Sequence, residues 1–245
     1  MLSSGPDKER KIRRFRTIRV VEHWFAIIIV GILVVTGLSQ KYYVLNLSQW
    51  LILELGGIDN VRLLHRYMGV AFLILTFVHV FIAMTGVLFR RWQLSMMINR
   101  NDFTNAVHNL KYYVGLEKTP AQFDRYDFKQ KFEYWGILIG AFLMIVSGLI
   151  LWFPIQATHF LPGEIVPAAK SMHTHQATLI FIIIAIWHIY NALFSPDVFP
   201  IDTSIFTGMI SRERMAREHP LELARMEGAS RQQILQDSHE KKPEH

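Results

Sequence analysis

Apolar residues along this 245-residue chain gather in four long blocks: Val20 to Leu38, Tyr67 to Phe89, Tyr134 to Phe153, and Ala177 to Phe194. Each lies near or above the roughly 20 residues that a helix rising about 1.5 Å per residue needs to cross a hydrocarbon layer of about 30 Å. Charge, proline or polar residues bound every block. Lipid offers no partner to backbone N–H and C=O groups, so a segment that crosses it alone must satisfy them internally, as a helix does. The pattern predicts an all-α membrane protein, a bundle of four transmembrane helices. The first block is longer than the roughly 7–15 apolar residues of a signal peptide and no small-residue cleavage site follows it, so the sequence predicts that it is retained.

The polar stretches suggest three regions: a basic arm over 1–19, the membrane domain over 20–194 and a tail over 195–245. Between the first two blocks, Ser39 to Asn60 reads as a loop whose centre, 49-QWLILELGG-57, lies at the membrane interface. The stretch from Arg90 to Lys131 is aromatic-rich, with 112-YYVG-115 and 123-FDRYDFKQKFEYW-135, and is expected to be partly ordered against the membrane surface. Pro154 to Ser171 carries three prolines and a glycine before the fourth helix resumes at Met172. Ser211 to His245 reads as a charged tail with helical propensity, and no internal repeat stands out beyond the recurring helix pairs.

Charge adds orientation. Seven of the 26 Lys and Arg precede the first block, eight lie from Arg90 to Lys131 and seven follow the fourth block. Only Lys41, Arg62, Arg66 and Lys170 fall in or beside the other two loops. Cationic loops stay in the cytoplasm, so both termini are placed there, and the formal charge of +6 reports topology rather than nucleic-acid binding. The chain has no cysteine, which excludes disulfides, thiolate-held iron–sulfur clusters and haem attached through C-x-x-C-H.

Eleven histidines remain as candidate ligands. His108 and His159 in loops, and His219, His239 and His245 in the tail, read as solvated. The other six, His23, His65, His79, His173, His175 and His188, lie within the helices or at their ends, where an ionisable group is costly and usually functional. His65 and His79 are fourteen residues apart, which in an α-helix returns the side chain to within roughly 40° and advances it about 21 Å. His173 and His188, fifteen apart, differ by about 60° and 22 Å, whereas His175 lies nearly opposite His188 and faces the loop or headgroups. The second and fourth helices run in the same direction, so His65 and His173 share the outer depth while His79 and His188 share the inner one. His23 also reaches the inner side. Two layers of facing imidazoles about 20 Å apart suit two stacked haems, each iron held by one nitrogen from each of two helices. Zinc or copper sites more often want three or four ligands in one cluster. Gly31, Gly37, Gly69, Gly140 and Gly148 either admit the edge of a flat macrocycle or serve close helix packing. Spacing favours His79 as the second inner ligand, with His23 its rival.

The fragments 20-VVEHW-24, 61-VRLLHRYMG-69, 133-EYWGILIGAFLMIVSGLILWFP-154, 187-WHIYNAL-193 and 204-SIFTGMISRERMAREHP-220 resemble the cytochrome b (gamma) subunit of membrane-bound formate dehydrogenase. Its relatives include the b-type cytochromes of nickel–iron hydrogenases and thiosulfate reductases. The likeness spans about Arg13 to Leu223. It implies a bacterial inner-membrane cytochrome holding two haems b by bis-His ligation, the outer by His65 and His173, the inner by His23 and His188. This sequence departs from the family in spacing the fourth-helix pair by fifteen rather than fourteen residues and in having a histidine at His79, which is a rival inner ligand, a neighbour of the quinone or the ligand of an additional haem.

The resemblance further implies that electrons from periplasmic catalytic and iron–sulfur or multihaem subunits enter the outer haem and reduce a quinone, such as menaquinone, near the inner one. The chain itself has no motif for primary substrate oxidation. Asp127, in 125-RYDFKQK-131, takes the position of a family segment next to the quinone, with Tyr126 or Gln130 assisting; an ordinary interfacial carboxylate is the alternative. Arg62 and Arg66 flank His65 and either pair with haem propionates or anchor to lipid headgroups, and Arg19 presents the same choice on the inner side. A histidine-relay transporter of protons or metal and a passive membrane anchor are the rival functions. Neither requires histidines paired in layers.

Overall fold

The computed structural model describes residues 11–89, 94–195, 199, 201 and 203–228. The first ten residues of the arm and the tail from 229, with His239 and His245, lie outside the described residues.

Four helices among the described residues are long and apolar enough to span a membrane. They are α1 (Thr17–Lys41), α3 (Ile58–Leu88), α5 (Phe128–Trp152) and a fourth, Ile165–Phe194, that starts as α7 (Ile165–Ile182) and continues in π-helical form over Ile183–His188 and Tyr190–Phe194. Their surfaces show the polarity of a membrane bundle. Large apolar side chains such as Phe77 and Ile186, both 68% exposed, face outward, while Thr36 and Ser147 are buried. Small or weakly polar residues at helix contacts let backbones approach closely when lipid removes the hydrophobic drive for association.

Each span extends beyond its apolar block. α3 opens at Ile58, nine residues before the predicted Tyr67, so that Asp59 and Arg62 pair across its first turn at 3.2 Å. The predicted interfacial loop holds a short helix, α2 (Asn46–Glu54), and that helix is closed by a Schellman motif: Gly57 N–H donates to Ile52 O at 2.7 Å and Gly56 N–H to Leu53 O at 2.9 Å. Gly56 and Gly57, at φ of 80° and 108°, supply the left-handed backbone that this turn requires. α5 begins at Phe128 and ends before Pro154, whose missing N–H and fixed φ start α6 (Pro154–Phe160) instead of prolonging the span. The fourth span starts at Ile165 rather than Met172, because Pro167 sits in its first turn, where an N–H has no helical partner to lose.

The chain forms two compact units. The first, Phe15–Trp92 with Gly136–Gly208, contains α1, α2, α3, most of α5, α6, the fourth span and the short α8 (Ser204–Thr207).

The second unit comprises Met1–Arg14, Gln93–Trp135 and Met209–His245, drawn from the basic arm, the long connecting stretch and the tail. β1 (Lys11–Arg13) pairs antiparallel with β2 (Met209–Ser211), with Ile12 opposite Ile210. Ile210, Met215 and Leu223 form a small core against which Ile12 packs. α4 (Arg100–Tyr113) opens with a capping box between Asn99 and Asp102, and α9 (Arg212–Glu218) is capped by the Ser211 hydroxyl. Buried Lys131 bonds both carboxylate oxygens of Asp102 at 2.8 and 2.9 Å. His219 corrects the expectation of a solvated tail residue: it is buried, and its Nδ1 bonds Asp124 O at 2.7 Å. Sequence order hides that pairing because 95 residues separate the partners.

Candidate metal centres

The first unit brings the membrane histidines together as two pairs. His65 of α3 and His173 of α7 have ring centroids 6.4 Å apart, and His23 of α1 and His188 of the π segment have centroids 6.3 Å apart. Two metal–nitrogen bonds of about 2.0–2.1 Å, plus roughly 1.1 Å from each nitrogen to its ring centroid, give roughly 6.3 Å for two imidazoles sharing one ion. Both pairs therefore have the separation that a single bis-imidazole metal requires.

The first pair is also oriented. Thr36 of α1 places its hydroxyl oxygen 2.8 Å from His65 Nδ1, and Ser147 of α5 places its own 2.9 Å from His173 Nδ1. Each hydroxyl donates its one proton to the carbonyl four residues back, Thr36 to Ile32 at 2.7 Å and Ser147 to Leu143 at 2.7 Å. The oxygens are left as acceptors, so the imidazoles donate from Nδ1–H and keep the Nε2 lone pair for a metal.

The residue after each hydroxyl is glycine, for a steric reason. A Cβ on Gly37 would stand 3.3 Å from His65 Cε1, and one on Gly148 would stand 3.3 Å from His173 Cε1. The sequence carries this device twice, as 35-VTGL-38 and 146-VSGL-149. This tetrapeptide similarity between α1 and α5 is the sequence signal of the device. The other glycines divide: Gly140 lies under Gln176 and Ile180, which is helix packing, while a Cβ on Gly31 or Gly69 would meet nothing within 4 Å.

His188 owes its place to the π segment. Fifteen residues of regular α-helix would carry it about 60° away from His173. Ile189 N–H instead bonds Ile184 O, and Ser195 N–H bonds Tyr190 O at 2.9 Å, both five residues back. The wider turn takes up the extra residue, and such bulges recur at functional sites. Phe206 of α8 packs edge-on against His23 at 5.7 Å and also contacts Trp24.

His79 is held elsewhere. Its Nδ1 lies 2.9 Å from Arg19 Nη1 and 3.2 Å from Glu22 Oε2, and Arg19 itself binds Glu22 at 2.6 Å. His79 thus faces an ion cluster centred on the buried Glu22. His175 is exposed and bonds Ser171 O at 2.7 Å, as its register predicts. Arg62 pairs with Asp59, and Arg66 stacks over Trp152 at 5.8 Å.

Asp127, in the second unit, precedes the first residue of α5. Its Oδ1 accepts from Gln130 N–H at 2.7 Å, and Gln130 Oε1 accepts from Asp127 N–H at 3.3 Å, a reciprocal cap. Burial pushes its carboxyl above the usual carboxylate range, against the opposing pull of the Gln130 N–H and of Lys129. Among the described residues, no group of three or more His, Asp or Glu converges as a zinc or copper cluster would.

Comparison with known proteins matches this architecture. The chain matches the prokaryotic cytochrome b561 family over residues 3–100 and 102–208. It is 28% identical over 212 residues to the formate dehydrogenase cytochrome b556(fdo) subunit of Escherichia coli K12, covering 85% of this chain and 90% of that one. It is 25% identical over 213 residues to the nitrate-inducible formate dehydrogenase cytochrome b556(Fdn) subunit of the same organism, covering 87% and 90%. With a formate dehydrogenase cytochrome b556 subunit of Haemophilus influenzae Rd it shares 23% identity over 184 residues, 75% of this chain and 71% of the other. Four membrane-capable helices, histidines paired across them and a match over most of the chain make it a member of the prokaryotic cytochrome b561 family, a multi-pass membrane cytochrome of electron transfer for which the family implies haem b.

Proposed function

We propose that the chain is the di-haem membrane subunit of a formate dehydrogenase-like complex, carrying electrons between a periplasmic redox module and the quinone pool. The observation that carries this reading is the pair of imidazole pairs at 6.3 and 6.4 Å, both of the width that one iron between them requires. His65 and His173 hold the outer haem, and His23 and His188 hold the inner one, near which quinone reacts. His23 is preferred to His79 because its ring faces His188, whereas His79 faces Glu22 and Arg19. The cationic loops support a cytoplasmic position for both termini.

Haem b supplies a one-electron Fe(II)/Fe(III) couple. The chain's own residues hold it: imidazoles from α1, α3 and the fourth span present nitrogens, Gly37 and Gly148 make room for the ligand rings, and the apolar spans exclude water. Fourteen residues of α1 separate His23 from Gly37, which sets the layers about 21 Å apart. That distance covers most of an apolar layer of about 30 Å. With no cysteine in the sequence, substrate oxidation belongs to partners that carry the catalytic and the iron–sulfur or multihaem centres; that the relatives are cytochrome subunits of formate dehydrogenases supports this reading.

The test is haem stoichiometry on protein purified from membranes, by pyridine haemochrome and reduced-minus-oxidised spectra. Two haems b per chain are expected, falling to one in His23→Ala and staying at two in His79→Ala. Loss of a haem in His79→Ala alone would reverse the inner assignment. No haem in the wild type would return the chain to the transporter or anchor readings.

Asp127 is the carboxylate we assign to quinone protonation, and its cap allows a clean separation of roles. Asp127→Asn keeps an acceptor for the Gln130 N–H but cannot carry the proton. Quinone turnover is expected to fall about 100-fold, the scale of a lost general acid–base group, with the fold unchanged. Asp127→Ala adds about 1 kcal/mol of lost capping. Wild-type turnover in the asparagine variant would leave Asp127 a helix cap alone.

A further inference from the structure

We propose that Thr36 and Ser147 are positioning residues that hold the reduction potential of the His65/His173 haem below that of the His23/His188 haem, so that electrons run downhill from the outer layer to the inner. The proposal rests on the two-haem reading and assigns its direction.

The hydrogen bonds behind His65 and His173 differ from that behind His23. In the outer layer both imidazoles donate Nδ1–H to a hydroxyl oxygen whose own proton is committed to a backbone carbonyl. Thr36 and Ser147 are 1% and 0% exposed, so no bulk water competes for either bond. In the inner layer, His23 Nδ1 is buried and has no hydrogen-bond partner among the described residues. A hydrogen bond accepted from the far ring nitrogen leaves more electron density on the ligating one, which makes the imidazole a stronger donor. A stronger donor stabilises Fe(III) over Fe(II), and second-shell hydrogen bonding is one of the levers by which a protein sets a haem potential. The outer centre is served twice from two different helices, and His23 lacks such an acceptor.

Charges lie beside both pairs in the sequence: Arg19 and Glu22 near His23 are paired at 2.6 Å, and near His65 Arg62 is paired with Asp59 at 3.2 Å while Arg66 stacks over Trp152. The transfer would need no further reagent: with haem b held by each histidine pair, the one electron lost by the outer centre would be the one gained by the inner. No bond forms or breaks and no proton moves.

The alternative is that each hydroxyl only bonds its own helix four residues back, as Ser and Thr often do within membrane spans. Optical redox titration of the purified di-haem protein separates the two. Thr36→Val and Ser147→Ala are each expected to raise the lower of the two midpoint potentials, and the double variant to raise it further, with the upper potential unmoved. Thr36→Ser and Ser147→Thr, which keep the hydroxyl, are expected to behave as wild type. Both potentials fixed, or both shifted alike, would overturn the proposal while leaving the two-haem reading standing. Wild-type protein without haem would overturn both. A second readout needs no haem and no substitution. Nitrogen-15 NMR of histidine-labelled, haem-free chain is expected to show His65 and His173 protonated at Nδ1, and protonation at Nε2 would sink the idea.

Discussion

His173→Ala is expected to reduce haem content from two per chain to one and to bring electron passage to the quinone down to background. The neighbouring imidazole cannot take its place. His175, two residues on, is exposed and bound to Ser171 O on a different face of the helix. Loss of outer-shell partners of metal ligands typically costs about 10–100-fold in affinity, and loss of the ligand itself should exceed that range. The surrounding bundle stays, because Ser147 retains its bond to Leu143 O and Gly148 borders only the space that the ring vacates. That space gives a further check: free imidazole added to the variant should restore part of the missing haem. The spectrum of the haem held by His23 and His188 is expected to survive unchanged. Two haems in His173→Ala would refute the outer assignment.

How far the sequence led depends on the range of the forces involved. The four spans were legible because a run of apolar residues near 20 is a local signal with one physical solution in lipid. The pairing of His65 with His173, and the depth of His188, could be read because an imidazole in such a run is costly and helix geometry converts spacing to depth. Whether the ring of His23 or of His79 lies beside His188 could not, since it turns on which face α1 offers to α3. There Arg19 and Glu22, charges ordinarily read as flanking residues, capture the His79 ring. Fifteen-residue spacing looked like a defect until the π segment absorbed it, and no propensity rule marks where a helix will widen. The hydroxyl–glycine steps at Thr36–Gly37 and Ser147–Gly148 were printed in the sequence as two similar tetrapeptides. They acquire meaning only when the bundle brings each against a histidine 29 or 26 residues away. The second unit was least legible of all: its strand pair joins Lys11 to Ser211, and its buried charges join segments that are polar enough to pass for solvated arm and tail.

Those buried charges make Glu222 the residue on which that second unit is expected to depend most. Arg14 and Glu222 have side chains 4% and 3% exposed and lie 3.8 Å apart, while Arg125 bonds Glu222 Oε1 at 2.7 Å. The two arginines also exchange backbone bonds, Arg14 to Arg125 O at 3.2 Å and Arg125 to Arg14 O at 3.0 Å, so the arm, the long connection and the tail meet at one carboxylate. Glu222→Ala removes the carboxylate that two neighbouring guanidinium groups share, one of them buried. Removing one partner from a buried pair typically costs about 3–5 kcal/mol, because the stranded charge keeps its desolvation penalty. Amide hydrogen exchange in β1 and β2 is expected to accelerate about 100- to 5000-fold, the same energy expressed as an opening equilibrium. Glu222→Gln, which retains an acceptor for Arg125 but not the charge, should fall between this and wild type. Arg225 provides the control: it binds Asp124 through two bonds of 2.7 and 2.9 Å, but both side chains are more than two-fifths exposed. An exposed pair contributes at most about 1 kcal/mol, so Arg225→Ala should raise exchange by less than about tenfold. Equal effects from Glu222→Ala and Arg225→Ala would mean that the arginine pair reaches water when its carboxylate is lost, and that packing around Met215 and Ile210, rather than charge, holds the three segments together.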